Sequence, residues 1–93
     1  MTAVLVGDEL ASRLGDVPGW AVVDGKLHRD LEFKNFSEAF AFMTRVAMIA
    51  EKLNHHPDWS NSWNKVAIDI VSHDAGGVTE QCFDFAERTN KLL

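Results

Sequence analysis

The 93-residue chain has no tyrosine, only two prolines and a single cysteine, Cys82. One thiol cannot close an internal disulfide, and it cannot supply a C-x-x-C metal knuckle. Basic residues are scarce too. Lys plus Arg number 9 against 14 Asp plus Glu, a formal net charge of −5 with His neutral. That excess of acid argues against a nucleic-acid backbone as the main partner. No run reaches ~18 consecutive apolar residues, so no membrane span is legible. Met1 to Leu14 carries Asp8 and Glu9 and lacks a basic region ahead of a long apolar core, unlike a signal peptide. With one free thiol, a reducing cytoplasm is the expected compartment.

What is present is ordinary globular composition, 46% hydrophobic and 25% charged. The length predicts a single domain over 1–93. A chain this short buries only about 60–65% of its unfolded surface. Its stability margin is thin, and small folds often gain by oligomerising.

Local patterns predict the order helix, hairpin, helix, hairpin, helix. Gly7 to Leu14 reads as a short helix and Pro18-Gly19 as a turn. Trp20 to Asp24 and Lys26 to Phe33 read as strands joined by Asp24-Gly25, a type I′ signal. Leu27, Leu31 and Phe33 alternate with polar residues, and Arg29 alone breaks the apolar face.

Asn35 to Leu53 is a long helix with Asn35 as N-cap and Glu38 completing a capping box. Phe36, Phe40, Met43, Ala47 and Ala50 form one stripe. Ala39, Phe42, Val46, Ile49 and Leu53 widen it past the ~100° of a surface helix. One sheet cannot cover that much, so part of the face is expected to meet another subunit. After a break at Asn54 to Pro57, Asp58 to Trp63 and Lys65 to Ser72 form a second hairpin. Thr79 caps a last helix to about Lys91. The expected fold is α+β in two layers, a four-stranded antiparallel sheet with helices on one face.

Chemistry concentrates in two stretches, Glu51 to Trp59 and Ser72 to Gly77. Pairing of the last two strands brings the start of one beside the end of the other. His55 and His56 then lie near His73, although His56 and His73 are about 17 residues apart in sequence. Imidazoles titrate near pH 6.5, so converging histidines can supply both the acid and the base of an elimination. Glu51, one turn earlier, is placed to orient an imidazole, and Pro57 stiffens the exit.

Three histidines could also make an open zinc site. Adjacent His55 and His56 point to opposite sides of an extended chain, however, and no H-E-x-x-H motif is present. The metal-free reading is therefore preferred. His28 is expected to be a solvated or capping residue and Cys82 a buried, inert one. Trp20, Trp59 and Trp63 are core or interface residues first. Trp20, directly after a turn, is the one best placed to wall a flat heteroaromatic ligand.

Ala50-Glu51-Lys52-Leu53-Asn54-His55-His56-Pro57-Asp58-Trp59, Asn61, Asn64-Lys65-Val66 and Ser72-His73-Asp74-Ala75-Gly76-Gly77-Val78-Thr79 together resemble the pterin-4a-carbinolamine dehydratases. Phe42 to Ala47 and Gly19-Trp20 extend the likeness over about residues 10 to 92. The resemblance implies dehydration of 4a-hydroxytetrahydropterin, the spent cofactor of aromatic amino acid hydroxylases, to quinonoid dihydropterin and water. It implies no metal and no organic cofactor. It places the three active-site histidines on His55, His56 and His73, with His55 and His73 as the acid–base pair and His56 holding the pterin. It puts the acidic helper on Glu51 and the tryptophan of the pocket edge on Trp20. Ser72 and Asp74, within the second motif, complete the expected substrate contacts.

The chain departs from that family at Asn54, at Ser72 in place of Thr, and at Cys82 in place of Asp. The last is expected to weaken the Thr79 cap by a few tenths to ~1 kcal/mol. Members that act as transcription-factor dimerisation cofactors or assembly factors supply the rival reading, a binding module using the apolar helix face. Either way, a homodimer or homotetramer through residues 35–53 is expected, with no nucleic acid or membrane as direct partner.

Overall fold

In the computed structural model, which describes residues 3–93, Asp24 and Gly25 both take positive φ, 52° and 77°. That is the backbone a type I′ turn demands. The turn joins β1 (Ala21–Val23) to β2 (Lys26–Glu32) with Val23 opposite Lys26. The second hairpin pairs β3 (Asp58–Ser62) with β4 (Lys65–Ile70), and Asp58 sits opposite Asp69. β2 and β4 are the two central strands, in the antiparallel order β1-β2-β4-β3.

Three helices complete the α+β fold: α1 (Gly7–Arg13), α2 (Phe36–Leu53) and α3 (Glu80–Asn90). A single 3-10 turn, Leu14–Asp16, follows α1. The last two helices pack on each other and on β4. Val66, Ile68 and Ile70 alternate inward along β4 and are buried with Leu27, Phe83 and Phe85 in one core. β1 is shorter than its apolar residues suggest, because as an edge strand all three of its residues remain exposed.

Helix α2 starts where the sequence predicts. The Asn35 side chain accepts from the Glu38 N–H at 2.9 Å. Glu38 reaches back one residue further than a capping box requires, to the Lys34 N–H. The wide apolar surface divides in two. Ala39, Phe42, Val46 and Ala50 enter the core. Phe36, Phe40 and Met48 stay 49%, 55% and 67% exposed, and the Phe36 and Phe40 rings touch.

Arg29 breaks the apolar alternation for a specific reason. It lies on the inner face, but its guanidinium donates to the Pro18 carbonyl at 3.0 Å and to Asn90 Oδ1 at 2.6 Å. Burial lowers its pKa. Gly19, at φ +90°, lies over this group, and a Cβ there would come within 2.5 Å of Arg29 Cζ. Only glycine allows that close approach.

His28 differs from its expectation. It is half-buried on the outer sheet face between two carboxylates, Asp69 at 2.9 Å and Asp30 at 3.0 Å. Asp30 and then Asp69 raise its pKa above the ordinary histidine value. Of the two places expected for Trp63, core or interface, the core is excluded: it occupies the hairpin turn at φ 49° and is 66% exposed. No helix among the described residues is long and apolar enough to cross a membrane.

Candidate active site

The site begins with the ending of α2. Asn54 takes the left-handed conformation, φ 50° and ψ 46°, which asparagine tolerates better than most residues. Its N–H bonds back to the Glu51 carbonyl, and the His55 N–H bonds to the Ala50 carbonyl. These paired bonds are those of a Schellman ending. The ending turns His55 under the helix, where it is 9% exposed. The next residue in an extended chain faces the other way. His56 accordingly points outward and pairs through Nε2 with Glu51 Oε2.

The other wall comes from the chain leaving β4. The strand stops at Ile70, two residues earlier than the sequence pattern suggests. Ser72 bridges to Gly77, its carbonyl accepts from Gly76 at 2.9 Å, and its Oγ accepts from the Ala75 N–H at 3.2 Å. This closed turn carries His73 and Asp74 outward. Because Asp58 pairs with Asp69 across the hairpin, the start of β3 lies beside the exit of β4. His73 Nε2 stands 3.5 Å from Asp58 Oδ2 at that junction.

A cleft of about 260 Å³ lies between the two walls, lined by Asn54, His55, His56, Val71, Ser72, His73, Asp74 and Gln81. Larger depressions against the outer sheet face and beside Asn90 hold no histidine. The predicted histidines, Ser72 and Asp74 thus share one cleft, with Glu51 at its rim through His56. Gln81 was not predicted. Its side-chain amide donates to the Leu53 carbonyl at 2.7 Å and ties the start of α3 to the end of α2. Local pattern carries no signal for this, because the contact exists only once the two helices pack.

Trp20 lies away from this cleft. It is 6% exposed, edge-on to Phe85, and its Nε1–H donates to Asn90 Oδ1 at 2.8 Å. Asn90 is eight residues from Cys82 along α3, roughly 12 Å at 1.5 Å per residue. Cys82 marks the histidine end of that helix, so Trp20 buttresses the opposite end.

Cys82 is buried at the third position of α3. Its sulfur accepts from the Thr79 N–H at 3.4 Å, so the thiol fills the acceptor place in the cap. The same sulfur lies 3.3 Å from His55 Nε2. The pKa of His55 is lowered, first by burial and then by the neighbouring charges of His56 and His73. His55 is therefore neutral at ordinary pH, whereas His56 and His73 are exposed and each stands against a carboxylate. Among the described residues no group of three or more His, Cys, Asp or Glu side chains is arranged to hold a metal ion. A buried neutral imidazole facing exposed ones can pass protons to and from a small polar ligand.

Known proteins are similar to this chain in sequence and fold. The model of the pterin 4 alpha carbinolamine dehydratase family matches residues 3–92. A Solibacter usitatus protein named for an inferred pterin-4-alpha-carbinolamine dehydratase activity is 46% identical, with 99% of this chain and 97% of that protein covered. A Synechococcus protein with the same kind of name is 48% identical, with 99% of each covered. The crystal structure of a transcriptional coactivator/pterin dehydratase from Brucella melitensis superposes with a TM-score of 0.91 at 40% identity, covering 96% of this chain and 97% of that one. A family match over nearly the whole length, full-length relatives above 40% identity and the shared α+β fold agree: the chain belongs to the pterin-4a-carbinolamine dehydratase family.

Proposed function

We propose that the chain is a hydro-lyase that dehydrates a 4a-hydroxytetrahydropterin to quinonoid dihydropterin and water by histidine acid–base catalysis. The observation that carries this reading is the convergence of His55, His56 and His73 on one cleft. Family membership supports the substrate class. The substrate carries its hydroxyl on C4a, beside N5. The N5 lone pair forms the C4a–N5 double bond as the C4a–O bond breaks. A proton from His73 lets the oxygen leave as water, and His55 takes the N5 proton. One proton is given and one is taken, so solvent exchange resets the pair.

The assignment of base to His55 follows from its environment. Burial and the charges of His56 and His73 hold its proton affinity down, so it enters the reaction neutral. His56, steadied by Glu51, and Asp74 hold polar edges of the pterin. Ser72 fixes the turn that presents His73. These steps call on no metal and no organic cofactor. The product is the oxidised form that a reductase returns to the cofactor of aromatic amino acid hydroxylases. The test is loss of freshly generated 4a-hydroxytetrahydropterin with purified protein, with and without a chelator. We expect acceleration over buffer that the chelator leaves unchanged. A rate equal to buffer overturns the proposal.

We also infer a homo-oligomer, dimer or tetramer, through the outward face of α2. Phe36 and Phe40, one turn apart, stay exposed on the flank of the helix beside its core residues, with the half-buried Ala47 further along the same flank. Two copies of such a stripe can interdigitate as paired helices do. Phe40→Asp is expected to give a folded monomer by sedimentation velocity at micromolar concentration, with unchanged far-UV circular dichroism. A wild-type chain that sediments as a monomer refutes this and favours a different protein on the same face.

A further inference from the structure

We propose that Cys82 is the positioning residue of His55: its sulfur takes the Nε2–H of the imidazole and leaves Nδ1, as a lone pair, to face the cleft. The inference deepens the dehydratase reading and rests on it for the direction of proton transfer.

The geometry supplies a complete set of partners. A thiol has one proton to give and lone pairs that accept weakly. The Thr79 N–H can only donate, so Sγ accepts there, at 3.4 Å. Two neighbours remain, His55 Nε2 at 3.3 Å and Thr79 Oγ1 at 3.6 Å. When the S–H turns to Thr79 Oγ1, Sγ is left to accept from Nε2–H. Among the described residues His55 Nδ1 has no hydrogen-bond partner, yet it is not among their buried polar atoms left without one, which are Asn64 Oδ1 and Thr89 Oγ1. Nδ1 is therefore the ring nitrogen open to the cleft. Which nitrogen of a histidine carries the proton is set by the bond the other one makes. With Nε2 engaged by sulfur, Nδ1 is the atom that takes up a proton.

The choice of a thiol also has an electrostatic consequence. Cys82 is fully buried, and an uncharged sulfur holds the ring without attracting a proton to it. The other groups around His55 are the imidazoles of His56 and His73 and the carboxylate of Asp74 across the cleft, with the Gln81 amide from α3. A carboxylate in place of the thiol would add an unscreened negative charge at the far nitrogen. An opposite charge within about 4–6 Å raises an imidazole pKa by about 1–3 units. His55 would then keep its proton to higher pH than it does beside the thiol.

The test uses ¹⁵N-histidine-labelled full-length protein and reads tautomer and pKa of His55 directly, with turnover as a second readout. In the wild type we expect the Nε2–H tautomer. An Nδ1–H tautomer overturns the proposal. Cys82→Ala should abolish the tautomer preference and lower kcat about tenfold, the worth of one hydrogen bond, with KM little changed. Cys82→Ser, which keeps a donor and acceptor, should restore both. Cys82→Asp should raise the His55 pKa by a unit or more and move the acid limb of kcat/KM to higher pH by the same amount. If the aspartate variant does not fold, the alanine and serine pair still decides. Unchanged tautomer, pKa and kcat in Cys82→Ala refute the assignment. The nuclear magnetic resonance arms stand without turnover, so a chain inactive toward the pterin would sink the functional reading and leave the positioning claim separately tested.

Discussion

His73→Ala is expected to lower kcat by about 10²-fold or more, the usual scale for losing a positioned general acid. The expectation rests on where His73 stands. It sits on the Ser72–Gly77 turn with a side chain 70% exposed. Among the described residues its ion-pair contact is Asp58, at 3.5 Å. Removing an exposed side chain of this kind changes stability by no more than about 0.5 kcal/mol. The turn itself is held by Ser72, through its carbonyl, its hydroxyl and its bridge to Gly77, none of which involves the imidazole. Lost turnover in a variant with unaltered thermal unfolding would therefore report chemistry. Steady-state kinetics with freshly generated 4a-hydroxytetrahydropterin make the measurement. His28→Ala is the matched control. That residue lies on the outer sheet face against Asp30 and Asp69, so turnover should stay unchanged. An unaltered kcat in His73→Ala refutes the role given to His73.

Much of this site was legible because its parts are local. Asn35 caps α2, Asp24-Gly25 turns the first hairpin, and alternation along Lys65 to Ile70 marks a strand with one buried face. The second hairpin then forces its open end together, and the histidines with it. What was hidden depends on contacts across long sequence separations. The sulfur of Cys82 meets a ring nitrogen 27 residues away. Trp20 bonds Asn90, 70 residues away, and so faces the end of α3 that the histidines do not. Periodicity says which side of a helix is apolar, but not which end of it a distant side chain will meet. Arg29 illustrates the same limit. On an apolar face it reads as an exception, and only the arrival of Pro18 and Asn90 supplies its acceptors. The division of α2 into an inward and an outward apolar arc was anticipated as a surplus. Which phenylalanines belong to which arc depended on how α2 packs against β4 and α3.

The contrast between a buried phenylalanine of α3 and an exposed one of α2 sets up the largest expected change in stability. Phe85→Ala should cost about 3–5 kcal/mol, because a fully buried ring is lost and a cavity remains. The ring also supports Trp20 edge-on, with centroids 6.3 Å apart, so its removal loosens the β1 edge as well. A chain of this size has a total stability of roughly 5–14 kcal/mol at 0.05–0.15 kcal/mol per residue. The loss is a large share of that total and should lower Tm by at least ~12 °C, at ~4 °C or more per kcal/mol for a domain of this length. Phe40→Ala removes the same atoms from a ring that is 55% exposed. In an isolated protomer it should shift unfolding by no more than about 0.5 kcal/mol. If a second copy covers α2, the wild-type Tm rises with protein concentration, as mass action requires when only the folded chain associates. Phe40→Ala then weakens that dependence, while Phe85→Ala lowers Tm at every concentration. Scanning calorimetry across a hundredfold concentration range separates the two. Equal losses from the two substitutions, independent of concentration, would show that Phe40 is buried within its own protomer. They would remove the basis for a homo-oligomer through this face.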